Sequence, residues 1–251
     1  MAGRYETDPS THYLFQPNGP FQRRLARTLE QAARQTRGSL LVDVCCGTGN
    51  VLRSARAFFP HCLGVDLSVN MLQQARQRHL EVLGADANRL PLVDECADCV
   101  TAVSALHHMF DYEAVLKEMA RILRRGGILY TDWDPNGHVL RQGWAVTSAT
   151  RLLMGLRRWR NGDSIPETSL QQLAEYHHHS REGFDPDRAM SVLRHLGFRE
   201  VRLYCHCNPD GFGGRETARA QVYLLRLLKL LSFIPPTARN VHPWVGIVAI
   251  K

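Results

Sequence analysis

The sequence predicts an α/β fold, a doubly wound and mostly parallel sheet of seven strands with helical cap insertions. Three observations favour it. Short apolar runs typical of buried strands alternate with segments of helical period. A glycine-rich turn follows the first apolar run in LLVDVCCGTGN, and an acidic residue lies at or next to the end of each of the first three predicted strands. In such a sheet the carboxyl ends of the strands meet along one edge, where ligands bind.

The first half of the chain supplies strands and helices in regular alternation. An amphipathic helix at 21–35 is followed by strands at 39–45, 62–66, 80–84, 97–103 and 128–132. Between them lie a helix at 51–59, a helix capped by Ser68 and a helix at 111–123, which Gly126 and Gly127 are expected to end. The alternation predicts helices on both faces of a parallel sheet.

Beyond residue 134 the alternation is interrupted twice. Two helical stretches, near 143–160 and 169–178, suggest a first cap insertion, and a second one precedes the last strand at 245–250. Between the insertions, Asp185 and Pro186 begin a helix that Gly197 ends, and a strand follows at 200–205. The chain is therefore interpreted as a single domain, 1–251. Its parts are an N-terminal helical segment 1–37, a core at 38–133, 184–207 and 244–251, and cap insertions at 134–183 and 208–243.

Composition bounds the classes of protein to consider. The 251 residues are 44% hydrophobic and 22% charged, with a formal net charge of +7 that modestly favours anionic partners. No apolar run reaches the roughly 18 residues of a membrane span, and the first residues, MAGRYETDPS, resemble no secretion signal. Seven cysteines without a disulfide-framework spacing fit reduced thiols. These features predict a cytoplasmic protein without a transmembrane segment, a monomer or a homodimer.

The glycine-rich turn points to one kind of ligand. Gly47 and Gly49 would let the backbone approach a bound molecule. A dinucleotide fingerprint would need glycine where Leu52 stands, and the lysine of a phosphate-binding P-loop is absent. Asp43, inside the turn, would repel a pyrophosphate and attract a cation. An adenosine ligand with an ammonium and a sulfonium but no phosphate satisfies both facts, which predicts S-adenosylmethionine as the cofactor. Asp66 would accept hydrogen bonds from its ribose.

Four segments, in order, resemble the motifs of the class I S-adenosylmethionine-dependent methyltransferases, especially the small-molecule, quinone-biosynthesis-like branch (type 11). They are VDVCCGTGN, GVDLSVNMLQQAR, GADANRLPL and ALHHMFDYEAVLKEMARILRRGGILYTD, and the resemblance covers residues 40–134. It implies a Rossmann-like sheet with an antiparallel last strand, and S-adenosylhomocysteine as the product. The cofactor-binding residues that it implies are Asp43, Cys45, Gly47, Gly49, Asp66, Leu67, Met71, Asp86, Ala87 and Ser104.

The chain departs from the family in one position of the first motif. Cys45 stands where the family has its first loop glycine, so the backbone is expected to approach the cofactor less closely there. The segment SALH, at 104–107, also lacks the Asn/Asp-Pro-Pro-aromatic tetrapeptide of enzymes that methylate nucleobase or glutamine amino groups. Its absence disfavours nucleic acid as a partner.

Histidines are the candidate proton acceptors, because imidazole titrates near neutrality. His107 and His108 follow the fourth strand, at the ligand edge, where either could be a general base or only orient its neighbours. Candidate substrate-binding residues lie in LAEYHHHS and are Glu175, Tyr176, His177 and His178. No metal site is predicted, because the pairs Cys96/Cys99 and Cys205/Cys207 fall at opposite edges of a parallel sheet.

The predicted function is methyl transfer from S-adenosylmethionine to a small organic or lipid-like acceptor. In-line O-methylation with a histidine general base is favoured. Two alternatives stay open: an RNA methyltransferase, and a non-catalytic cofactor-binding scaffold or regulator. The helix at 215–231 places Arg215, Arg219, Arg226 and Lys229 in one stripe among leucines. It is interpreted as a lid, a partner surface or a site of peripheral membrane contact.

Overall fold

The computed structural model describes residues 19–140, 184–206, 214–231 and 235–251. The strands are β1 (Leu40–Val44), β2 (His61–Asp66), β3 (Glu81–Gly84), β4 (Ala97–Val103), β5 (Leu123–Pro135), β6 (Glu200–His206) and β7 (Trp244–Ile250). The helices are α1 (Pro20–Thr36), α2 (Asn50–Ala55), α3 (Val69–Gln77), α4 (Tyr112–Ile122), α5 (Gly137–Leu140), α6 (Pro186–His195), α7 (Gly214–Leu231) and α8 (Ala238–Val241).

The strands form one seven-stranded sheet in the order β3-β2-β1-β4-β5-β7-β6. β1 to β5 pair in parallel, and β7 runs antiparallel to both of its neighbours. The predicted doubly wound sheet with an antiparallel last strand is therefore confirmed. After β3 the chain crosses back to the other side of β1, so the strand order reverses between β1 and β4. The carboxyl ends of these two strands flank the crevice in which such sheets bind ligands.

Two apolar cores cover the two faces of the sheet, because alternate residues of a strand point to opposite sides. On one face, Val42 and Val100 pack beneath α4 and α6. On the other, Leu41 and Cys99 pack beneath α1, α2 and α3. Burial of both faces explains why the strands read as continuous apolar runs rather than as alternating ones.

The helix caps and one strand boundary test the local predictions. Asp185 accepts hydrogen bonds from the first amides of α6, and Pro186 occupies its first turn, as predicted. The helix predicted at 111–123 ends one residue earlier, at Ile122. The role predicted for the two glycines is wrong: they do not end the helix but lie within β5, which begins at once. Leu123 already pairs with Ala97 across a register shift, and Gly126 lies within the strand at φ 78°. Pairing with β7 carries β5 on to Pro135.

α7 lies beside α5 and α8, with Leu225 buried against Val139 and Val241. The predicted basic stripe is broken at Lys229, which is fully buried and donates to the carbonyl oxygen of His138 at 3.3 Å. Arg226 is exposed. The side chains of Arg215 and Arg219, and the helices predicted near 143–160 and 169–178, lie outside the described residues. Among the helices of the described ranges, none is long and apolar enough to cross a membrane.

Candidate active site

A cavity of about 650 Å³ opens at the carboxyl edge of the sheet, where the strand order reverses. Its walls come from the turns that follow β1, β2, β3 and β4, together with the first turn of α1. Nine of the ten predicted cofactor-binding residues line it: Asp43, Cys45, Gly47, Asp66, Leu67, Met71, Asp86, Ala87 and Ser104. The volume falls in the range of roughly 300–1,000 Å³ that small-molecule pockets occupy.

Gly49, the remaining predicted residue, is not part of the cavity wall. It precedes α2 at φ 86°, and a Cβ atom built there would lie 2.1 Å from the Leu80 side chain. This glycine is thus required by backbone conformation and by packing. Gly47, at φ 54°, does line the cavity, and its amide donates to Asp66 Oδ2 at 2.8 Å.

Cys45 adopts a glycine-like backbone although it carries a side chain. Its φ of 59° lies in the left-handed region, which disfavours a residue with a Cβ atom. The backbone at Cys45 therefore has the conformation that glycine would adopt, and the side chain forms part of the cavity wall. Burial raises the pKa of the Cys45 thiol far above its ordinary value, so the side chain is neutral and apolar in character.

Asp43 is a buried carboxylate beneath the loop. It pairs in register with Thr101 of β4, and the Thr101 hydroxyl donates to its Oδ1 at 2.6 Å. Burial raises the pKa of Asp43 to about 7, and the nearby charge of Asp66 adds to this. A cation in the cavity would favour the ionised carboxylate.

Two further carboxylates lie at the carboxyl ends of the next two strands: Asp66 is the last residue of β2, and Asp86 lies two residues beyond β3. Asp66 accepts hydrogen bonds from the amides of Gly47 and Ser68, both at 2.8 Å. Each carboxylate oxygen has two acceptor sites, so capacity remains for donors in the cavity. Asp86 is exposed at the mouth and accepts from the backbone and side chain of Asn88, which lowers its pKa.

The two candidate histidines occupy different environments. His108 is part of the cavity wall. His107 is 3% exposed, and its Nδ1 lies 2.9 Å from Oδ1 of Asp134, which also accepts from the His107 amide. The two imidazole centroids are 4.0 Å apart. Burial raises the pKa of Asp134 to about 8.

Phe21, the first residue of the predicted amphipathic helix at 21–35, also lines the cavity, which was not predicted. It packs edge-on against Trp133, with the ring centroids 5.6 Å apart. A usable signal was present: a helix leading into β1 runs against it, so its first turn must lie at the carboxyl edge. Asn50 and Met109 also line the cavity, and no motif or spacing in the sequence indicates either of them.

The predicted substrate residues Glu175, Tyr176, His177 and His178 lie outside the described residues, as does Cys207. Within the described ranges, no group of three or more His, Cys, Asp or Glu residues is arranged to hold a metal ion.

The acidic lining of the cavity favours a positively charged ligand over an anionic one. Among the described residues that line it, three are carboxylates and none is lysine or arginine. A phosphate would meet repulsion there, whereas a positively charged nucleoside without phosphate would find acceptors for its hydroxyl and amino groups.

Comparison with known proteins agrees with this chemistry. Residues 42–131 match the family model described as "Methyltransferase domain". A demethylmenaquinone methyltransferase of Mycobacterium sp. (strain KMS) is 39% identical over 92 residues, which are 37% of this chain and 40% of that relative. The match thus spans well under half of that relative. A malonyl-[acyl-carrier protein] O-methyltransferase of Yersinia pestis is 28% identical over 208 residues, 79% of this chain and 74% of the relative.

Solved structures share the fold at low identity. A SAM-dependent methyltransferase from Archaeoglobus fulgidus aligns with a TM-score of 0.57 at 15% identity, covering 92% of this chain and 94% of that one. Phosphoethanolamine N-methyltransferase 2 of Haemonchus contortus, solved with S-adenosyl-L-methionine, aligns with a TM-score of 0.60 at 16% identity. That alignment covers 100% of this chain and 56% of the other.

Proposed function

We propose that this chain, which carries the methyltransferase domain of the class I S-adenosylmethionine-dependent family, methylates a small, lipid-like acceptor. The observation that carries the proposal is the cavity itself. Asp43, Asp66 and Asp86 surround one space at the switch point of the sheet, and no basic side chain balances them among its described lining residues. S-adenosylmethionine, when bound, supplies a methyl group that its sulfonium has already activated.

The residues present fit that cofactor. Asp66 would bind the ribose hydroxyls, because its two amide bonds fix the carboxylate and leave acceptor sites towards the cavity. Met71 and Ala87 would contact the adenine, and Asp86 would accept from its amino group. Asp43 would favour a positive charge near the loop.

The acceptor is proposed to be a largely apolar molecule that carries a hydroxyl or carboxyl group, and the methyl group would be transferred to an oxygen of that group. Phe21, Val103 and Met109 line the cavity, and the exposed side chains of Leu67 and Phe110 stand at the same edge. The relatives named above, a demethylmenaquinone methyltransferase and a malonyl-[acyl-carrier protein] O-methyltransferase, support a small or lipid-like acceptor, and the second is named for methylation at oxygen. O-methylation is the reaction that we favour.

His108 is the proposed general base, since it faces the cavity and an imidazole can accept a proton at neutral pH. His107 is proposed as a positioning residue. Its ring is fixed by Asp134 and lies against that of His108, so this pair would hold the base in one orientation. Positioning of the base and the acceptor is the main task left to the protein.

Cofactor binding is tested by calorimetric titration with S-adenosylhomocysteine. Asp66→Ala is expected to weaken binding at least about thirtyfold, because charged hydrogen bonds contribute about 1.5–3 kcal/mol each. Asp94→Ala is the matched control, since this carboxylate is 75% exposed and paired with Arg121 away from the cavity. An unchanged affinity in Asp66→Ala, with an unchanged melting temperature, would reject the ribose assignment.

Transfer is tested by release of S-adenosylhomocysteine from S-adenosylmethionine in the presence of decanoic acid, 4-octylphenol or a naphthoquinol. His108→Ala is expected to retain cofactor affinity and to slow release by about 10²–10⁴-fold. His195→Ala, an exposed histidine at the end of α6, is the control and should leave the rate unchanged. Cofactor binding without release for any acceptor would favour the non-catalytic scaffold instead.

A further inference from the structure

The outer face of α7 is apolar although it is exposed. Five side chains form it, and between 38% and 68% of each is exposed: Tyr223, Leu224, Leu227, Leu230 and Leu231. At 100° per residue they occupy an arc of about 120°. We call these five residues the α7 face.

The opposite side of the helix is also apolar, with Val222, Leu225 and Leu228 packed towards Val139 and Val241. A helix on the surface of a soluble domain ordinarily turns charged residues outward once its inner stripe is buried. A contiguous exposed apolar patch instead marks a surface that binds something.

Charge indicates the kind of partner. Arg226 is exposed about 40° from the edge of the arc, and the sequence from 220 to 231 contains no acidic residue. Asp187 is paired with Arg239 and with His138, the residue whose carbonyl oxygen accepts from Lys229 of α7. The whole chain carries a formal charge of +7. These charges favour an anionic surface and disfavour a second copy of the same face, which would bring the Arg226 side chains together.

The α7 face belongs to the edge of the sheet that holds the cavity. α7 packs on α5 and α8, and these follow the end of β5 and precede the start of β7. Both points lie at the carboxyl edge of β5, as the pairing of Pro135 with Trp244 establishes. Leu67 and Phe110, 74% and 80% exposed, extend the apolar character along that edge.

We propose that the α7 face docks on a bilayer that contains anionic lipid. An apolar arc flanked by an arginine is the pattern of a helix that lies in the membrane interface without crossing it. Docking would turn the cavity edge towards the lipid, so that a membrane-dissolved molecule reaches the cavity without passing through water. The binding surface is separate from the cofactor residues and goes beyond the proposed methyl transfer.

The test is flotation of the full chain with vesicles of phosphatidylcholine alone and with vesicles that also contain phosphatidylglycerol. Binding is expected to the anionic vesicles and to weaken as salt increases. The double variant Leu227→Gln/Leu230→Gln is expected to bind at least about tenfold more weakly. Arg226→Gln should lessen the preference for anionic vesicles.

Val93→Gln is the matched control, because Val93 is 74% exposed but lies before β4, at the opposite edge of the sheet. It should bind vesicles like the parent chain. Equal flotation of the parent and the double variant would overturn the proposal, as would concentration-dependent dimers abolished by the double variant without vesicle binding. Titration with S-adenosylhomocysteine separates the two proposals: a parent chain that binds the cofactor but floats with neither kind of vesicle rejects only the docking of the α7 face.

Discussion

Two cavity residues other than glycine have a left-handed backbone, Cys45 at φ 59° and Ser104 at φ 54°. Cys45 is the one that lies in the glycine-rich loop. A side chain at φ 59° costs about 1–2 kcal/mol relative to ordinary backbone, and glycine avoids that cost. Its neighbour Cys46 is buried and does not share the positive φ. The two adjacent cysteines therefore differ: the backbone at Cys45 favours glycine, whereas the side chain of Cys46 is packed in the core.

Cys45→Gly is expected to raise the free energy of unfolding by about 1 kcal/mol, because the strain is relieved, and to leave cofactor binding intact or tighter. Cys46→Gly, the matched control, should lower it by about 2 kcal/mol through lost packing near Gly64. Urea unfolding of both variants measures this. A loss of stability in Cys45→Gly would mean that the thiol contributes more than its backbone costs.

The acidic residues at the strand ends could be predicted from the sequence, whereas the different environments of neighbouring site residues could not. Acidity and spacing identified Asp43, Asp66 and Asp86, because a parallel sheet gathers strand ends at one edge. The separate environments of His107 and His108 depend on Asp134, which lies 27 residues away in the chain. No local pattern contains that contact. Likewise Gly49 is set by the Leu80 side chain, a tertiary neighbour.

At the scale of elements, α1 links the cavity to β5 and β6. Its inner side buries Phe21, Leu25 and Leu29. Arg24 donates from Nε and Nη2 to Asp132 Oδ2, at 3.1 and 2.9 Å, and Asp132 is fully buried. The His206 ring also lies 2.9 Å from this carboxylate. The ion pair therefore fixes the turn of α1 that holds Phe21 over the cavity.

Arg24→Gln is expected to lower the free energy of unfolding by about 2–3 kcal/mol, because it leaves a buried carboxylate less well compensated. Cofactor affinity should fall as well, since Phe21 loses its anchor. Arg27→Gln, an exposed arginine on the same helix, should change stability by less than about 0.5 kcal/mol. Equal effects of the two variants, read from urea unfolding and calorimetry, would remove this role from Arg24.

Element boundaries were predictable where a side chain marks them and failed where pairing decides. Asp185 and Pro186 predicted the start of α6 correctly, because aspartate is favoured as an N-cap and proline in the first turn. The start of β5 at Leu123 results from its pairing with Ala97, and its end at Pro135 from pairing with Trp244. These partners lie far along the chain, so the apolar run alone predicted only the middle of the strand.

For the whole molecule, buried carboxylates make stability depend on pH. The pKa values of Asp43 and Asp134 are raised to about 7 and about 8 in the folded protein. The folded state thus binds protons more tightly than the unfolded chain, and this contribution is present in full below about pH 4 and lost as the pH rises through 7 and 8. Asp132, whose pKa is lowered, has the opposite sign and loses its contribution at low pH.

Asp43→Asn is expected to flatten part of the fall in unfolding free energy between about pH 4 and 7 in the cofactor-free protein, by up to about 4 kcal/mol. Urea unfolding at a series of pH values measures it. Asp94→Asn, at an exposed position, should leave the slope unchanged. Identical slopes in the parent chain and Asp43→Asn would contradict the raised pKa of Asp43.

The strand order has a consequence for synthesis. β7 lies between β5 and β6, so β6 has no partner in the sheet until β7 exists. A nascent chain that has emerged only as far as residue 206 holds the sequence of β1 to β5 and of α6, which packs on α4, but β6 has no strand to pair with. The residues that line the crevice are thus synthesised before β7, the strand that joins β6 to the sheet.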